Sequence, residues 1–314
     1  MKIIKIAGII FAVIISAALA YCLIRGFDPF SLFAEPVADD TPVVLQYKEA
    51  GGKALEVLFY KPTRNVFRRA PLLIYIHGGS WKQGSHVLGD DELEIVGPFR
   101  DYGMAVASVQ YRLTNDDNKF PDHINDVTDA IRYLSLHSEE LDIDKRYFCE
   151  LGGSAGAHLA LLAAFAQDEF HDSAALADVR YEVRCIISLS TPCDLVDLSC
   201  YKGDSLIEVE KLLEAFLGYT FEQNPGIYAA ASPVTYISRN RTPVFMAHGE
   251  KDTVVPIIQA DNYYAKAVQA GMKIEYIRVL NGKHGLGSYD GGPTYPSKDE
   301  LLKKLAAFIL RNLL

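Results

Sequence analysis

The stretch Tyr147-Phe148-Cys149-Glu150-Leu151-Gly152-Gly153-Ser154-Ala155-Gly156-Ala157-His158-Leu159-Ala160-Leu161-Leu162-Ala163-Ala164-Phe165 decides how the chain folds. Residues 147–151 are aromatic and apolar enough for a buried strand; residues 157–165, rich in Ala and Leu, read as a helix packed in the interior. Between them Gly152-Gly153-Ser154-Ala155-Gly156 fits G-x-S-x-G. A strand that turns sharply into a helix forces its central residue into a strained conformation, and the flanking glycines let the backbone pass close by. Ser154 Oγ is then pushed clear of the sheet edge as a candidate nucleophile. The Ala155 N–H lies at the helix N-terminus, where the dipole favours a developing oxyanion.

Working outward, the chain alternates strands and helices. Residues 43–48 and 54–60 read as an antiparallel hairpin, 71–76 as a continuous apolar strand covered on both faces, and 104–110 as the next strand. A helix is expected over 124–136, a polar stretch over 167–181, and strands over 183–189, 243–247 and 274–279. A helix over 257–270 separates the last two strands, and a final one begins with a capping box from Ser297 to Glu300. This order implies an α/β fold: a mostly parallel sheet after the N-terminal antiparallel hairpin, helices on both faces, and ligands at the carboxyl ends of the strands. Residues 191–241 form the one long insertion, with a helix expected over 205–217. It reads either as a small cap over the site or as a plain crossover with a long loop.

A serine hydroxyl needs a base to take its proton, and the base needs a third group to orient it. Asp252 follows the strand 243–247 and His284 follows the strand 274–279, so both arrive on the edge that carries Ser154. The catalytic candidates are therefore Ser154, His284 and Asp252. Asp194 and Glu250 are rival acids. His248 sits too close to its strand end and is expected to hydrogen-bond the loop; His158, one turn into the nucleophile helix, reads as a packed, satisfied residue.

With 314 residues and an ordinary globular composition, one α/β domain over 43–314 is the simplest reading. The net charge of −9 argues against nucleic acid or an anionic membrane surface as the main partner. Lys2 and Lys5 precede an uncharged apolar run over residues 6–24, closed by Arg25. That run exceeds the roughly 7–15 residues of a signal-peptide core and approaches the roughly 20 needed to span a bilayer. Either a cleaved signal peptide or a membrane anchor is expected, followed by a linker over 26–42, with the rest delivered outside the cytoplasm. Among the five cysteines, Cys149 and Cys185 fall in interior strands. Cys193 and Cys200 share a loop-like stretch and could pair in an oxidising compartment. No Cys/His spacing resembles a zinc site.

His77-Gly78-Gly79-Ser80 resembles the HGGG-type loop of lipases and esterases. The chain as a whole resembles the α/β-hydrolases of the esterase/lipase superfamily over roughly residues 45–313. It is most similar to the H-G-G-x-W branch of feruloyl and acetylxylan esterase-like (BD-FAE-like) and kynurenine formamidase-like enzymes. Tyr111-Arg112-Leu113, Phe120-Pro121 and Asp126 belong to the same resemblance, with Arg112 and Asp126 candidates for an ion pair behind the site. The resemblance implies an oxyanion hole made by the N–H groups of Gly79, Ser80 and Ala155, and a substrate-binding or packing role for Trp81. Ser80 stands where the lipase type has a third glycine, which argues against large acyl groups. The implied reaction is hydrolysis of a short-acyl or acylated-carbohydrate ester, with no metal or organic cofactor and no obligate protein partner. An amidase or formamidase would use the same residues, and an inactive binding module on this scaffold is the third alternative.

Overall fold

The computed structural model describes residues 41–239 and 241–313. The N-terminal apolar run and nearly all of the linker lie outside the described residues. Among those described, no helix is long and apolar enough to cross a membrane.

Eight strands form one sheet: β1 (Val43–Ala50), β2 (Lys53–Tyr60), β3 (Ala70–Ile76), β4 (Ala105–Val109), β5 (Ile143–Gly153), β6 (Val183–Leu189), β7 (Val244–Gly249) and β8 (Ile274–Val279). Their spatial order is β1-β2-β4-β3-β5-β6-β7-β8. The β1–β2 hairpin is antiparallel and joins β4 antiparallel; every later neighbour is parallel. The helices are α1 (Asp90–Asp101), α2 (Asp122–Leu136), α3 (Ala155–Phe165), α4 (Asp204–Leu217), α5 (Pro225–Ala230), α6 (Ile258–Gln269) and α7 (Lys298–Leu313). This is the α/β-hydrolase arrangement expected from the sequence.

β3 shows why its run is unbroken. Leu72, Ile74 and Ile76 face a core shared with α2, α3 and α6, while Leu73 and Tyr75 face a second core shared with α1 and α7. Alternate side chains of a strand leave by opposite faces, so a strand covered on both has no polar positions. The capping box at α7 forms as expected: Glu300 N–H donates to Ser297 Oγ and Ser297 N–H to Glu300 Oε2. Helix α1 was not foreseen. Its apolar stripe is thin, with only Val96 and Phe99 of its apolar side chains fully buried, and Gly97-Pro98 in its last turns looks like a breaker.

The four described cysteines are free thiols, so Cys193 and Cys200 do not pair. Cys149 and Cys185 are buried partners on β5 and β6, as interior positions should be.

Arg112 grips Asp126 through two hydrogen bonds, Nε to Oδ2 at 2.8 Å and Nη2 to Oδ1 at 2.7 Å, which is the expected ion pair. The pair belongs to a larger network. Lys48 of β1 reaches Asp126 at 2.7 Å and Asp129 at 2.9 Å, and also pairs with Asp172, which Arg112 contacts too. The network ties the edge hairpin to α2 and to the loop after β4.

Glu150, two residues before the G-x-S-x-G motif, is fully buried between Ile74 and Ile186 of the flanking strands. Neither carboxyl oxygen has a hydrogen-bond partner among the described residues. Burial, and next the adjacent Cys149, push its pKa well above the ordinary 4.5. The folded chain therefore holds a proton that the unfolded chain releases. Stability from this group is complete below the ordinary pKa and is lost as pH rises above it, by about 1.4 kcal/mol per pH unit. Glu150→Gln should match wild type in urea unfolding at pH 4 and become the more stable of the two by pH 7. An unchanged difference between those pH values would refute a protonated Glu150.

Candidate active site

Ser154 is the hinge between β5 and α3, with φ 53° and ψ −121°, a backbone region that a residue bearing a side chain rarely occupies. Packing holds it there. A Cβ on Gly156 would lie 2.0 Å from the Ile76 carbonyl oxygen, so α3 abuts the end of β3 as only glycine permits. The Ser154 N–H donates to Leu189 O at 2.8 Å, tying the turn to β6.

Asp252 and His284 arrive from the loops after β7 and β8 and meet: His284 Nδ1 lies 2.8 Å from Asp252 Oδ2. The other oxygen, Oδ1, accepts the N–H groups of Val254 and Val255 at 2.9 Å each. A carboxylate so saturated cannot rotate, and it fixes the imidazole with Nδ1 protonated and the Nε2 lone pair free. Burial alone would raise the Asp252 carboxyl. Hydrogen bonds from His248 and His284, together with the Val255 N–H, outweigh it and hold the group well below the usual carboxylate range. No hydrogen bond joins Ser154 Oγ to His284 within the described residues.

His248 hydrogen-bonds the loop as expected, with Nε2 2.8 Å from Val255 O, but it also lies 3.2 Å from Asp252 Oδ2. A histidine four residues before the acid is thus a second support for it. The i, i+4 spacing was visible in the sequence; the fold of the loop that closes it was not. The rival Asp194 is engaged elsewhere: Oδ1 accepts the Val196 and Asp197 N–H groups, and Oδ2 pairs with Lys266. Glu250 lies on the exposed side of its loop beside Lys251.

The loop after β3 is compact and strained. Gly79 has φ 112° and its carbonyl accepts the Lys82 and Gln83 N–H groups; a Cβ there would lie 2.1 Å from Gln83 O. Ser80 and Trp81 follow at φ 53° and 57°. The N–H groups of Gly79, Ser80 and Ala155 donate to no acceptor among the described residues. On the other side of the loop, Gly78 is set against the Ser154 turn, where a Cβ would come 2.8 Å from Gly153 O and 3.6 Å from Ser154 Cβ.

Trp81 is buried under the loop and also lines the pocket beside Ser154. Its ring stacks on Phe216 of α4 at 4.2 Å, and Nε1–H donates to His158 Nδ1 at 3.1 Å. His158 in turn donates from Nε2 to Ala231 O at 2.6 Å, and burial lowers its pKa to about 4, so it is the neutral, satisfied histidine expected. His77 is also neutral: burial lowers its pKa to about 4, its Nδ1–H donates to Gly78 O at 2.8 Å, and its ring stacks on Tyr111 at 4.2 Å.

The pocket beside Ser154 holds about 40 Å³. Ser80, Trp81, Ala155 and Val255 line it, and its far wall is apolar: Leu195, Leu198, Val209, Leu212 and Leu213 from the insertion. The insertion is therefore a cap, with helix α4 as its wall.

Residues 58–267 match the model of the BD-FAE family. The chain is 25% identical over 230 residues to Esterase LipC of Mycobacterium tuberculosis, covering 73% of this chain but 56% of that protein. It is 26% identical to the ethyl acetate hydrolase of Pseudomonas putida, covering 82% and 80% of the two chains. Among solved structures, a truncated carbohydrate esterase from gut microbiota superposes with TM-score 0.70 at 20% identity, over 89% of this chain and 99% of that one. The chain thus spans little more than half the length of the first of these relatives, and the structural likeness speaks for the fold. With a family match that runs through most of the described sheet and includes the Ser154 turn, the chain belongs to the BD-FAE family and has the α/β-hydrolase fold.

Proposed function

We propose that this chain is a serine carboxylic-ester hydrolase acting on short-acyl esters, including acylated carbohydrates, and that its N-terminal apolar run delivers it outside the cytoplasm. The observation that carries the chemistry is the buried Asp252 carboxylate bonded to His284 Nδ1 on the sheet edge where Ser154 turns. His284 Nε2 takes the Ser154 proton as Oγ attacks the ester carbonyl. The N–H groups of Gly79, Ser80 and Ala155 receive the oxyanion, which preorganised donors stabilise without reorganising. As the tetrahedral species collapses, His284 returns the proton to the departing alcohol. Water, activated by the same imidazole, then attacks the acyl-enzyme and releases the acid. Asp252 stays ionised throughout and stabilises the imidazolium.

The acyl pocket argues for short chains. Its 40 Å³ is closed by leucines of the cap and by Trp81, which is pinned from two sides. The name of one relative, an ethyl acetate hydrolase, points the same way.

Ser154→Ala should reduce kcat on p-nitrophenyl acetate by about 10⁶-fold and Asp252→Asn by about 10⁴-fold, as in other triads. Residual turnover near wild type in Ser154→Ala would sink the assignment. Acetate should be preferred to octanoate in kcat/KM, and equal rates would contradict a closed acyl pocket. His248→Phe removes one support from Asp252 and should lower kcat about five- to tenfold at unchanged KM, the worth of a single hydrogen bond. A purely structural His248 would instead lower the active fraction and leave kcat per folded molecule intact.

A further inference from the structure

A second cavity opens on the other side of the oxyanion loop, and it is the larger of the two. It holds about 460 Å³, within the roughly 300–1,000 Å³ of ligand sites, against about 40 Å³ beside Ser154. Its walls are the β1–β2 turn, the segment after β4, and Gly84 and Ser85 at the far end of the loop. Residues of that loop line both cavities, Ser80 and Trp81 the smaller and His77, Gly84 and Ser85 the larger. Gly78 abuts Ser154 on one side, and a Cβ on Gly84 would lie 2.5 Å from both Gly78 O and His77 Nδ1 on the other.

The lining is polar but electrically balanced. Arg112 carries the obvious charge, yet it is spent on Asp126, Asp122 and Asp172. Lys53 and Asp117 at the mouth are of opposite sign. What remains unused is neutral. Gln110 Oε1 accepts the Glu56 N–H at 3.0 Å, which orients the amide and leaves its Nε2 donors without a partner among the described residues. His77, with Nδ1–H committed to Gly78 O, offers the Nε2 lone pair. Leu55 and Leu113 add apolar surface to the same lining. An anion would meet Lys53 but also Asp117, with Arg112 already held by three carboxylates, and an acyl chain would strand the amide and the imidazole. Alternating hydroxyls and C–H faces satisfy both kinds of surface.

We infer that this cavity is a binding site for the neutral glycan portion of an acylated oligosaccharide, one or more sugar units away from the ester held at Ser154. The inference rests on the ester-hydrolase reading for the bond that is cleaved; the glycan contact can be measured without it.

The test uses the full chain as wild type, Gln110→Met and Lys53→Trp, the last filling the mouth from an exposed position whose side chain has no partner among the described residues. Calorimetric titration with unacylated xylotetraose and cellotetraose should give saturable binding to wild type. Gln110→Met should weaken it about fivefold or more, the loss of one neutral hydrogen bond, and Lys53→Trp should abolish it. In hydrolysis, KM for an O-acetylated tetrasaccharide should lie below that for the O-acetylated monosaccharide, and both variants should erase the difference. Circular dichroism melts report whether each variant has folded; should Gln110→Met fail to fold, Lys53→Trp carries the test. No binding of either tetrasaccharide, binding untouched by the folded variants, or preference for a sulfated oligosaccharide would overturn the inference. Loss of the ester-hydrolase reading has a different signature: wild type would leave p-nitrophenyl acetate uncleaved while the titration still reported on the cavity.

Discussion

Everything at the site depends on how closely two backbones approach where β5 becomes α3. Gly156 presses against the last carbonyls of β3, and Gly78, just beyond β3, presses against Gly153. Neither contact leaves room for a methyl group. The Ser154 turn and the loop after β3 are therefore indexed to each other by contact between main chains, without an intervening side chain that could change rotamer. Positive φ at Gly79, Ser80, Trp81 and Ser154 is the conformational cost of that arrangement, and the surrounding packing maintains it.

The charges below the site extend this logic. Lys48, Arg112, Asp126, Asp129 and Asp172 form a largely buried network in which several carboxylates share two cations. Desolvation makes such a network a weak source of net stability, but breaking it strands a charge. Its product is position: Arg112 holds the segment after β4, and from that segment the Thr114 N–H reaches Trp81 O at 2.8 Å. The edge hairpin, α2 and the oxyanion loop are thereby connected through ionic and main-chain bonds. Glu150 is the contrasting case, a carboxyl without a cation beside it that burial pushes toward its neutral form.

Much of this was legible in the sequence because period and punctuation carry it. Continuous apolar runs marked the parallel strands, and the Gly-x-Ser-x-Gly motif marked the sharp turn from β5 into α3 that carries Ser154. An acid and a histidine, each placed after a later strand, completed the set, and the structure joins Asp252 to His284. The misses share a cause. Helix α1 has too thin an apolar stripe to announce itself, and Gly97-Pro98 disguises its end. The second bond on Asp252 from His248, and the part played by Lys48, depend on how loops and an edge strand fold back in three dimensions. The large cavity behind the oxyanion loop is assembled from three distant segments, none of which looks like a binding motif alone.

The stack of Trp81 on Phe216 joins the loop after β3 to the cap, and His158 braces the same indole from α3. One residue thus belongs at once to the loop set against the Ser154 turn and to the wall of the pocket that the cap lines. Diversification of such a scaffold cannot treat the cap as an exchangeable module. A cap of new shape must either supply its own aromatic platform at the place of Phe216 or arrive together with a refitted loop. Descendants of this architecture are expected to change substrate by small steps within the cap wall, and wholesale replacement of the insertion should be rare.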